Sequence, residues 1–187
     1  NTCYFYSGRL STQKNILELV SYFHQFNKNI DSNSKLVIAG PVDDLGIPFL
    51  GKDLHSGSYG HSLEKHVSKI NNPNITILRN QNHEQLRDLY RQADFYVNLS
   101  THNDEDYGMA PAEALCCGLP CILSDWGGFS GFKNLGAVKY IPVAEKNARI
   151  LPMVDKFIGE LTSAQGELSN SEEREKISKL AMKKLSN

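Results

Sequence analysis

Residues 75–99 read ITILRNQNHEQLRDLYRQADFYVNL and alternate between two kinds of pattern. Ile75–Leu78 and Phe95–Leu99 are short apolar runs rich in β-branched and aromatic side chains, as strands are. Between them, apolar side chains recur at helical spacing: Leu86, Leu89, Tyr90 and Ala93. A strand, a helix and a second strand in this order form the repeating unit of a parallel sheet.

The helix of this unit has a well-marked start. Asn82 and Gln85 are three residues apart, which suits a polar cap and a side chain that reaches back to it. A second helix is predicted near the N-terminus, after a cap at Ser11 or Thr12. Its apolar stripe is Ile16, Leu19, Val20 and Phe23.

The same alternation runs along the whole chain. Further strands are predicted at Cys3–Ser7, Lys35–Ala39, Cys121–Ser124 and Val138–Pro142, several of them continuous apolar runs typical of buried parallel strands. Two C-terminal helices are predicted, with the stripes Ile150, Met153, Val154, Phe157, Ile158, Leu161 and then Ile177, Leu180, Ala181, Leu185. The predicted fold class is α/β, a Rossmann-like doubly wound parallel sheet of about six strands.

The chain of 187 residues is long enough for one substantial core, so we expect a single domain over residues 1–187. Residues 41–60 are rich in Gly, Pro, Asp and Ser and are predicted to form a loop insertion. Residues 145–187 are predicted to contribute C-terminal helices.

Composition excludes several function classes. With 20 Lys and Arg against 21 Asp and Glu, the net charge of −1 gives no global field that would recruit nucleic acid. No apolar run approaches the ~18 residues of a membrane span. The cysteines lack the paired spacing of a zinc ribbon and are predicted to be buried free thiols: Cys3, Cys116, Cys117 and Cys121. We expect a cytoplasmic chain.

In a doubly wound sheet, ligands bind beyond the carboxyl ends of the strands. The first such segment is GRLSTQKN, residues 8–15, where a strand ends in Gly8 and two cations, Arg9 and Lys14, straddle a helix start. A guanidinium, an ammonium and helix N–H groups together suit a phosphate. Ordinary surface charge is the alternative interpretation.

The second segment is EDYGMAPAE, residues 105–113, after the strand that begins at Phe95. Gly108 allows close approach of the backbone to a ligand, and Pro111 suits a first helical turn. The N–H groups of Met109 and Ala110 could then face an anion, which predicts a diphosphate site.

Two carboxylates flank this turn. Glu105 precedes the helix and Glu113 lies about one turn into it, so a ligand crossing the helix start would meet both. Carboxylates accept hydrogen bonds from sugar hydroxyls. The run Asp104-Glu105-Asp106 could alternatively be a D-x-D metal site, but Arg9 and Lys14 already supply positive charge.

These segments resemble the retaining GT-B glycosyltransferases of family four. Residues 105–113 match its Glu, seven residues, Glu motif, usually written E-G-F-G-x-x-x-x-E. GRLSTQKN is similar to the family's G-R-L-x-x-x-K-N. KLVIAG, EQLRDLYRQAD and EALCCGLPCILSDWGG follow in the family's order, so the resemblance runs from Cys3 to Gly128.

The resemblance implies the C-terminal, donor-binding half of a GT-B fold, with Arg9, Lys14 and Glu105 as the catalytic residues. It implies that Arg9 and Lys14 hold the diphosphate and that Glu113 binds the ribose. Glu105 would face the transferred sugar. The full predicted donor site is Gly8, Arg9, Lys14, Asn80, Gln81, Leu86, Glu105, Tyr107, Gly108, Met109, Ala110 and Glu113. Asn80, Gln81 and Leu86 would contact the nucleotide base. No metal or cofactor is expected beyond the nucleotide-sugar substrate.

The chain departs from the family pattern in three places. Arg79 stands where the family commonly has glycine, next to the expected base pocket. The identity of the base, as in UDP or GDP sugars, is therefore open. Residues 101–104 lengthen the turn before Glu105 by about two residues relative to the family. After Gly127 and Gly128 the chain has Phe129 to Phe132 in place of the family's glutamate.

The predicted function is metal-independent, hexosyltransferase-like glycosyl transfer with retention, in polysaccharide or glycoconjugate biosynthesis. The N-terminal acceptor domain is absent from these 187 residues, so the fragment alone is expected to be inactive. The acceptor could be a glycan, a lipid-linked sugar or a protein. Peripheral contact of the protein with the inner face of the membrane is compatible with this prediction. A nucleotide-sugar epimerase of the same fold and a non-catalytic nucleotide-binding or regulatory module are the alternatives.

Overall fold

The computed structural model describes residues 1–43, 58–102, 108–165 and 170–185. Its main sheet has six parallel strands in the order β3-β2-β1-β4-β5-β6. The strands are β1 Cys3–Ser7, β2 Lys35–Ala39, β3 Ile75–Leu78, β4 Phe95–Asn98, β5 Cys121–Ser124 and β6 Val138–Ile141. The α/β prediction and all six predicted strands are confirmed, although β4 and β6 each end one residue earlier than expected.

Helices cover both faces of this sheet. They are α1 Ile16–Asn29, α2 Ser58–Ile70, α3 His83–Gln92, α4 Met109–Cys116, α5 Val154–Ala164 and α6 Ser171–Leu185. Two 3₁₀ segments, Thr12–Lys14 and Gly127–Leu135, precede α1 and β6. A separate antiparallel hairpin is formed by β7 Val143–Lys146 and β8 Arg149–Pro152.

Each face of the sheet has its own core, because successive strand side chains point to opposite faces. On one face, Tyr4 and Tyr6 of β1 pack with Phe23 of α1 and Phe157 of α5. On the other, Phe5 packs in the cluster that contains side chains of α3, α4 and α6. All six strands are therefore covered on both sides, which explains their nearly continuous apolar sequence.

The order of the strands places a crevice at the centre of the sheet. The chain moves from β1 to β2 and β3 on one side, and then returns to β4 on the other side of β1. In such sheets the ligand site lies where the strand order reverses, outside the carboxyl ends of the strands. A ligand site is therefore expected at the carboxyl ends of β1 and β4.

The start of α3 is as the sequence predicts. The backbone N–H of Gln85 donates to Asn82 Oδ1 at 2.9 Å, and the backbone N–H of Asn82 donates to Gln85 Oε1 at 2.9 Å. This is a complete capping box.

The predicted cap of α1 at Ser11 or Thr12 is wrong. A 3₁₀ turn, Thr12–Lys14, comes first, and α1 then begins at Ile16 with Asn15 as its N-terminal cap in the left-handed conformation at φ 51°. Neither Ser11 nor Asn15 makes a side-chain capping bond. The side chain of Asn15 is committed to tertiary contacts, which local sequence does not reveal.

The helix stripe predicted from Ile150 is also wrong at its start. Ile150 belongs to β8, and the helix begins only at Val154. The hairpin turn is Asn147 and Ala148, both at positive φ, as a two-residue turn of type I′ requires. Because Ala148 stands where glycine is usual, the turn signal is weak, and three apolar residues near it mimic helical spacing.

The predicted C-terminal end of the loop over residues 41–60 is wrong. Ser58 to Gly60 already belong to α2, a helix that the sequence interpretation missed. Its buried stripe is sparse, with Tyr59 and Leu63 in the core between many polar side chains. Residues 44–57 lie outside the described part of the chain.

The free-thiol prediction is confirmed, since all four cysteines are unpaired; burial is confirmed for Cys121, whereas the others are partly exposed. Burial raises the pKa of the Cys121 thiol well above its ordinary value, which keeps it protonated. Among the helices that the structure describes, none is both long and apolar enough to span a membrane.

Candidate functional site

Tyr90 of α3 links the carboxyl end of β1 to the start of α4. The Tyr90 hydroxyl lies 2.6 Å from Ser7 Oγ at the end of β1 and 3.2 Å from the carbonyl oxygen of Ala110 in α4. One hydroxyl therefore connects Ser7, which directly precedes residues 8–15, to residues 108–113, beside the crevice where the strand order reverses.

The backbone conformation at position 108 and the side chains packed against it both require glycine. Its φ is +74°, and a Cβ there would lie 2.8 Å from Cε1 of Phe129. Phe129 and Phe132 are buried beneath it. The aromatic residues that replace the family's glutamate thus form the floor that supports the start of α4.

The first turn of α4 presents backbone donors. Its first backbone bond in the α4 ladder is from Ala112 N–H to Gly108 O at 3.1 Å, and Pro111 has no N–H. The N–H groups of Met109 and Ala110 precede that bond, as the first N–H groups of any helix do. The Met109 side chain is 70% exposed, so this turn lies at the surface. Such a turn favours an anion through its N–H groups and the helix dipole.

Glu113 lies one turn further along α4 and is exposed. Its Oε2 accepts a hydrogen bond from the Tyr90 hydroxyl at 3.0 Å. A negatively charged hydrogen-bond acceptor is therefore held at a fixed place beside the anion-favouring turn.

Gly8 and Arg9 follow β1 directly. The backbone N–H of Gly8 donates to Ala39 O at 3.0 Å, and the ends of β1 and β2 approach so closely that a Cβ on Gly40 would overlap Gly8 O. Arg9 Nη1 forms an ion pair with Asp43 Oδ2 at 2.7 Å, with about half of the arginine side chain exposed. The Asp43 carboxylate thus holds the guanidinium near the ends of β1 and β2.

Lys14 ends the 3₁₀ turn and is followed by Asn15, which anchors the turn. Asn15 is 2% exposed, and its Nδ2 donates to Leu99 O and to Thr101 Oγ1, each at 2.8 Å. The Ser100 hydroxyl also donates to Gln13 O at 3.3 Å. The turn that carries Lys14 is thereby fastened to the end of β4.

The hairpin contributes a cation that the sequence interpretation missed. Arg149 Nη2 donates to Asn15 Oδ1 at 3.1 Å, and Arg149 Nη1 pairs with Glu18 of α1 at 2.8 Å. Thr101 Oγ1 donates to Ile150 O at 2.7 Å. The β7–β8 hairpin is thus bound to both the start of α1 and the end of β4.

Of the residues predicted to contact the base, Asn80 and Gln81 follow the end of β3, and Leu86 lies in α3. Asn80 has a positive φ of 54°, and Gln81 Nε2 donates to Arg79 O at 2.9 Å. Leu86 packs against the second core. The guanidinium of Arg79 pairs with Glu64 of α2, so this cation is directed to α2. Because β3 is two strands from β1, this end of the site is about 10 Å from the phosphate segment.

Glu105 and Tyr107 lie outside the described residues, as do Asp104 and Asp106. The roles predicted for them stay predictions. On either side the described chain is held in place: Trp126 Nε1 donates to His102 O at 2.9 Å, and Gly108 packs on Phe129.

Comparison with known proteins agrees with this architecture. Residues 2–151 match the family described as Glycosyl transferases group 1. The chain belongs to this family. The match covers the six-stranded sheet, the two candidate segments and most of the β7–β8 hairpin.

Two curated relatives of this group 1 glycosyl transferase are informative. It is 35% identical over 120 residues to a GDP-mannose:cellobiosyl-diphosphopolyprenol alpha-mannosyltransferase of Xanthomonas oryzae, covering 64% of this chain and 28% of the relative. It is 26% identical over 185 residues to a lipopolysaccharide 1,2-N-acetylglucosaminetransferase of Salmonella typhimurium, covering 99% of this chain and 45% of the relative. The chain therefore spans less than half the length of either.

Solved structures show the same fold at low sequence identity. A glycosyltransferase from Rickettsia africae superposes with a TM-score of 0.72 at 14% identity, over 100% of this chain and 43% of that one. Anabaena HepE, solved in complex with UDP and glucose, superposes with a TM-score of 0.71 at 14% identity, over 98% of this chain and 44% of that one. Both confirm a GT-B type of architecture for this group 1 chain.

Three residues of the site were not predicted as functional: Tyr90, Asn15 and Arg149. Tyr90 and Asn15 lie inside the motifs quoted from the sequence, but their periodicity or capping position suggested only local roles. Arg149 lies 134 residues from Asn15 along the chain, and the sequence predicts a helix from Ile150 where the structure has β8. A polar residue inside an apolar stripe, such as Tyr90, was the one available signal.

Replacement of Asn15 by alanine is expected to lower the free energy of unfolding by about 2–4 kcal/mol. The change removes the hydrogen bonds of the Asn15 side chain to Leu99 O and to Arg149 Nη2, and it places alanine in the left-handed region. Asn15→Gly keeps the backbone conformation and should be more stable than Asn15→Ala by about 1 kcal/mol.

Urea unfolding followed by circular dichroism measures these differences. Asn29→Ala, at the exposed last residue of α1, is the matched control and should change stability by less than about 0.5 kcal/mol. Equal stabilities of Asn15→Ala and Asn29→Ala would contradict the anchoring role.

Proposed function

We propose that this domain binds a nucleotide-diphosphate sugar across the ends of β1 and β4 and takes part in retaining glycosyl transfer to an acceptor. The observation that carries the proposal is the Tyr90 hydroxyl, which joins the α4 start to Ser7, the last residue of β1 before the segment of Arg9 and Lys14. Positive side chains near the first N–H groups of a helix suit a diphosphate.

The diphosphate is the leaving group of the reaction, so its charge grows as the bond to the sugar breaks. Arg9, Lys14 and the N–H groups of Met109 and Ala110 stabilise that charge in this proposal. Preorganised donors of this kind contribute several kcal/mol to catalysis in enzymes generally. Because these groups supply the positive charge, the proposed reaction needs no metal ion.

The nucleotide extends from the diphosphate toward the end of β3. Glu113 accepts hydrogen bonds from the ribose hydroxyls, and the base rests against the turn of Asn80 and Gln81. The roughly 10 Å between β1 and β3 suits a nucleotide lying across the strand ends. Glu105 faces the transferred sugar, and retention is proposed from the family resemblance.

A second domain supplies the acceptor in this proposal. The chain spans 28% and 45% of the two relatives described above, which leaves room in proteins of that length for a domain of similar size. The relatives' names include a diphosphopolyprenol and a lipopolysaccharide. We therefore propose a lipid-linked or polysaccharide acceptor, a cytoplasmic site of action at the membrane surface, and no transfer by these 187 residues alone.

Titration of the isotope-labelled protein with UDP, GDP and ADP, and with their sugars, tests the donor site. We expect one nucleotide to shift the amide signals of Gly8, Lys14 and Gly108 to Ala110. Absence of shifts near Gly108 with every nucleotide would refute the site. Binding without transfer by the full-length protein would favour a non-catalytic nucleotide-binding module, and interconversion of free nucleotide sugars an epimerase.

A further inference from the structure

The side chain of Tyr90 has an unusual environment for a residue on the core face of a helix. Tyr90 is 3% exposed, yet its hydroxyl contacts Ser7 Oγ, Ala110 O and Glu113 Oε2 at 2.6, 3.2 and 3.0 Å. One buried oxygen thus joins β1, α3 and α4 at the crevice, and one of its partners is the exposed carboxylate of the candidate site.

The direction of these hydrogen bonds follows from counting protons. A carbonyl oxygen and an ionised carboxylate can only accept, so the single phenol proton is directed toward Ala110 O and Glu113 Oε2. The hydroxyl of Ser7 must then donate to the Tyr90 oxygen. The network has one consistent arrangement, in which Tyr90 is a donor to Glu113.

The phenol is held rigidly in that role. Its ring packs edge-on against Phe5 with centroids 5.1 Å apart. The backbone of the same residue is also held, because Arg174 of α6 donates to the Tyr90 carbonyl oxygen at 3.2 Å. Burial raises the pKa of the Tyr90 hydroxyl above its ordinary value, with the nearby Tyr96 adding to the effect. Tyr90 therefore keeps its proton throughout the neutral pH range.

Glu113 gains a fixed position from this contact. An exposed glutamate on a helix otherwise samples many rotamers, and ordering it on binding would reduce affinity. With Oε2 bound to Tyr90, the carboxylate is already oriented when the ligand arrives.

We propose that Tyr90 is a positioning residue that orients Glu113 for the ribose hydroxyls and so sets the preference for ribonucleotide over deoxyribonucleotide donors. This inference rests on the proposed function, in which Glu113 contacts the ribose. Discrimination between ribose and deoxyribose then depends on two residues of different helices: the buried Tyr90 orients the exposed Glu113.

Isothermal titration calorimetry with UDP and GDP, and with their 2′-deoxy and 3′-deoxy analogues, tests this inference. The unchanged protein should bind its preferred nucleotide about tenfold more tightly than at least one deoxy analogue. Tyr90→Phe removes only the hydroxyl, and the ratio should fall to about twofold. In a Glu113→Gln background, the Tyr90 change should alter the ratio little, because the two residues act as one unit.

Tyr4→Phe is the matched control. Tyr4 is fully buried on β1, and its hydroxyl donates to Leu161 O at 2.9 Å on the opposite face of the sheet. It should show a similar loss of stability with the tenfold ratio intact. Ser7→Ala, which removes the donor to Tyr90, should lower the ratio by a smaller factor and serves as the second variant if Tyr90→Phe does not fold.

The failures are distinguishable. If the unchanged protein binds no nucleotide, the proposed function is wrong, and the inference is overturned with it. If it binds ribose and deoxyribose forms equally, Glu113 is not the ribose ligand. If it discriminates and the Tyr90→Phe and Ser7→Ala variants discriminate equally well, the positioning role of Tyr90 is overturned while the donor site stands.

Discussion

Replacement of Lys14 by alanine in the full-length protein is expected to lower kcat by about 10²–10³-fold. Lys14 ends the turn that Asn15 fastens to the end of β4, and in the proposed function its ammonium acts on the diphosphate. A cation placed where charge grows acts more strongly on the transition state than on the bound donor. The loss should therefore appear mainly in kcat, with a smaller rise in KM for the donor.

Steady-state transfer assays with the full-length protein measure this effect. Lys28→Ala is the matched control, because Lys28 is exposed in the last turn of α1, the helix that follows the Lys14 turn, about 20 Å from its start. Lys14→Arg should recover part of the activity, since it keeps the charge but changes its geometry. A kcat for Lys14→Ala within a few-fold of the unchanged protein would show that the lysine does not act on the leaving group.

Replacement of Gly108 by alanine is expected to weaken nucleotide binding more than tenfold and to destabilise the fold by about 2–4 kcal/mol. The residue must leave a φ of +74°, and its Cβ would lie 2.8 Å from the buried ring of Phe129. Both effects displace the turn that presents the N–H groups of Met109 and Ala110. Calorimetric titration and thermal unfolding measure the two losses.

Gly136 provides a matched control for this change. It has a φ of +71°, but a Cβ there would meet nothing within 4 Å. Gly136→Ala should show the backbone strain of about 1–2 kcal/mol and no loss of nucleotide binding. Phe129→Leu in the Gly108→Ala background should recover part of the stability by making room. Unchanged binding by Gly108→Ala would mean that the α4 start does not contact the ligand.

The main sheet could be predicted from the sequence because its signals are local. A buried parallel strand is an apolar run of four or five residues, and a helix has its own periodicity and caps. The capping box at Asn82 was correct for the same reason: both of its bonds lie within four residues. The segments of the site could also be placed, since strand ends are ligand sites in this class of fold.

The errors share one cause. Asn15 resembles a polar residue near a helix start, but Leu99, Thr101 and Arg149 determine its conformation and role. The β7–β8 hairpin could not be separated from a helix by the spacing of a few apolar residues, and α2 was obscured by its polar sequence. In each case the local pattern is ambiguous, and contacts with residues distant in the chain decide the conformation.

The sequence by itself determined the α/β sheet, the family and the two segments that form the candidate site, because each depends on residues close together in the chain. Only the tertiary structure decided which side chains act together there. Tyr90 meets Glu113 across 23 residues, and Arg149 meets Asn15 across 134. Such pairs leave no periodic trace in the sequence, since they form only when helices and strands pack side by side.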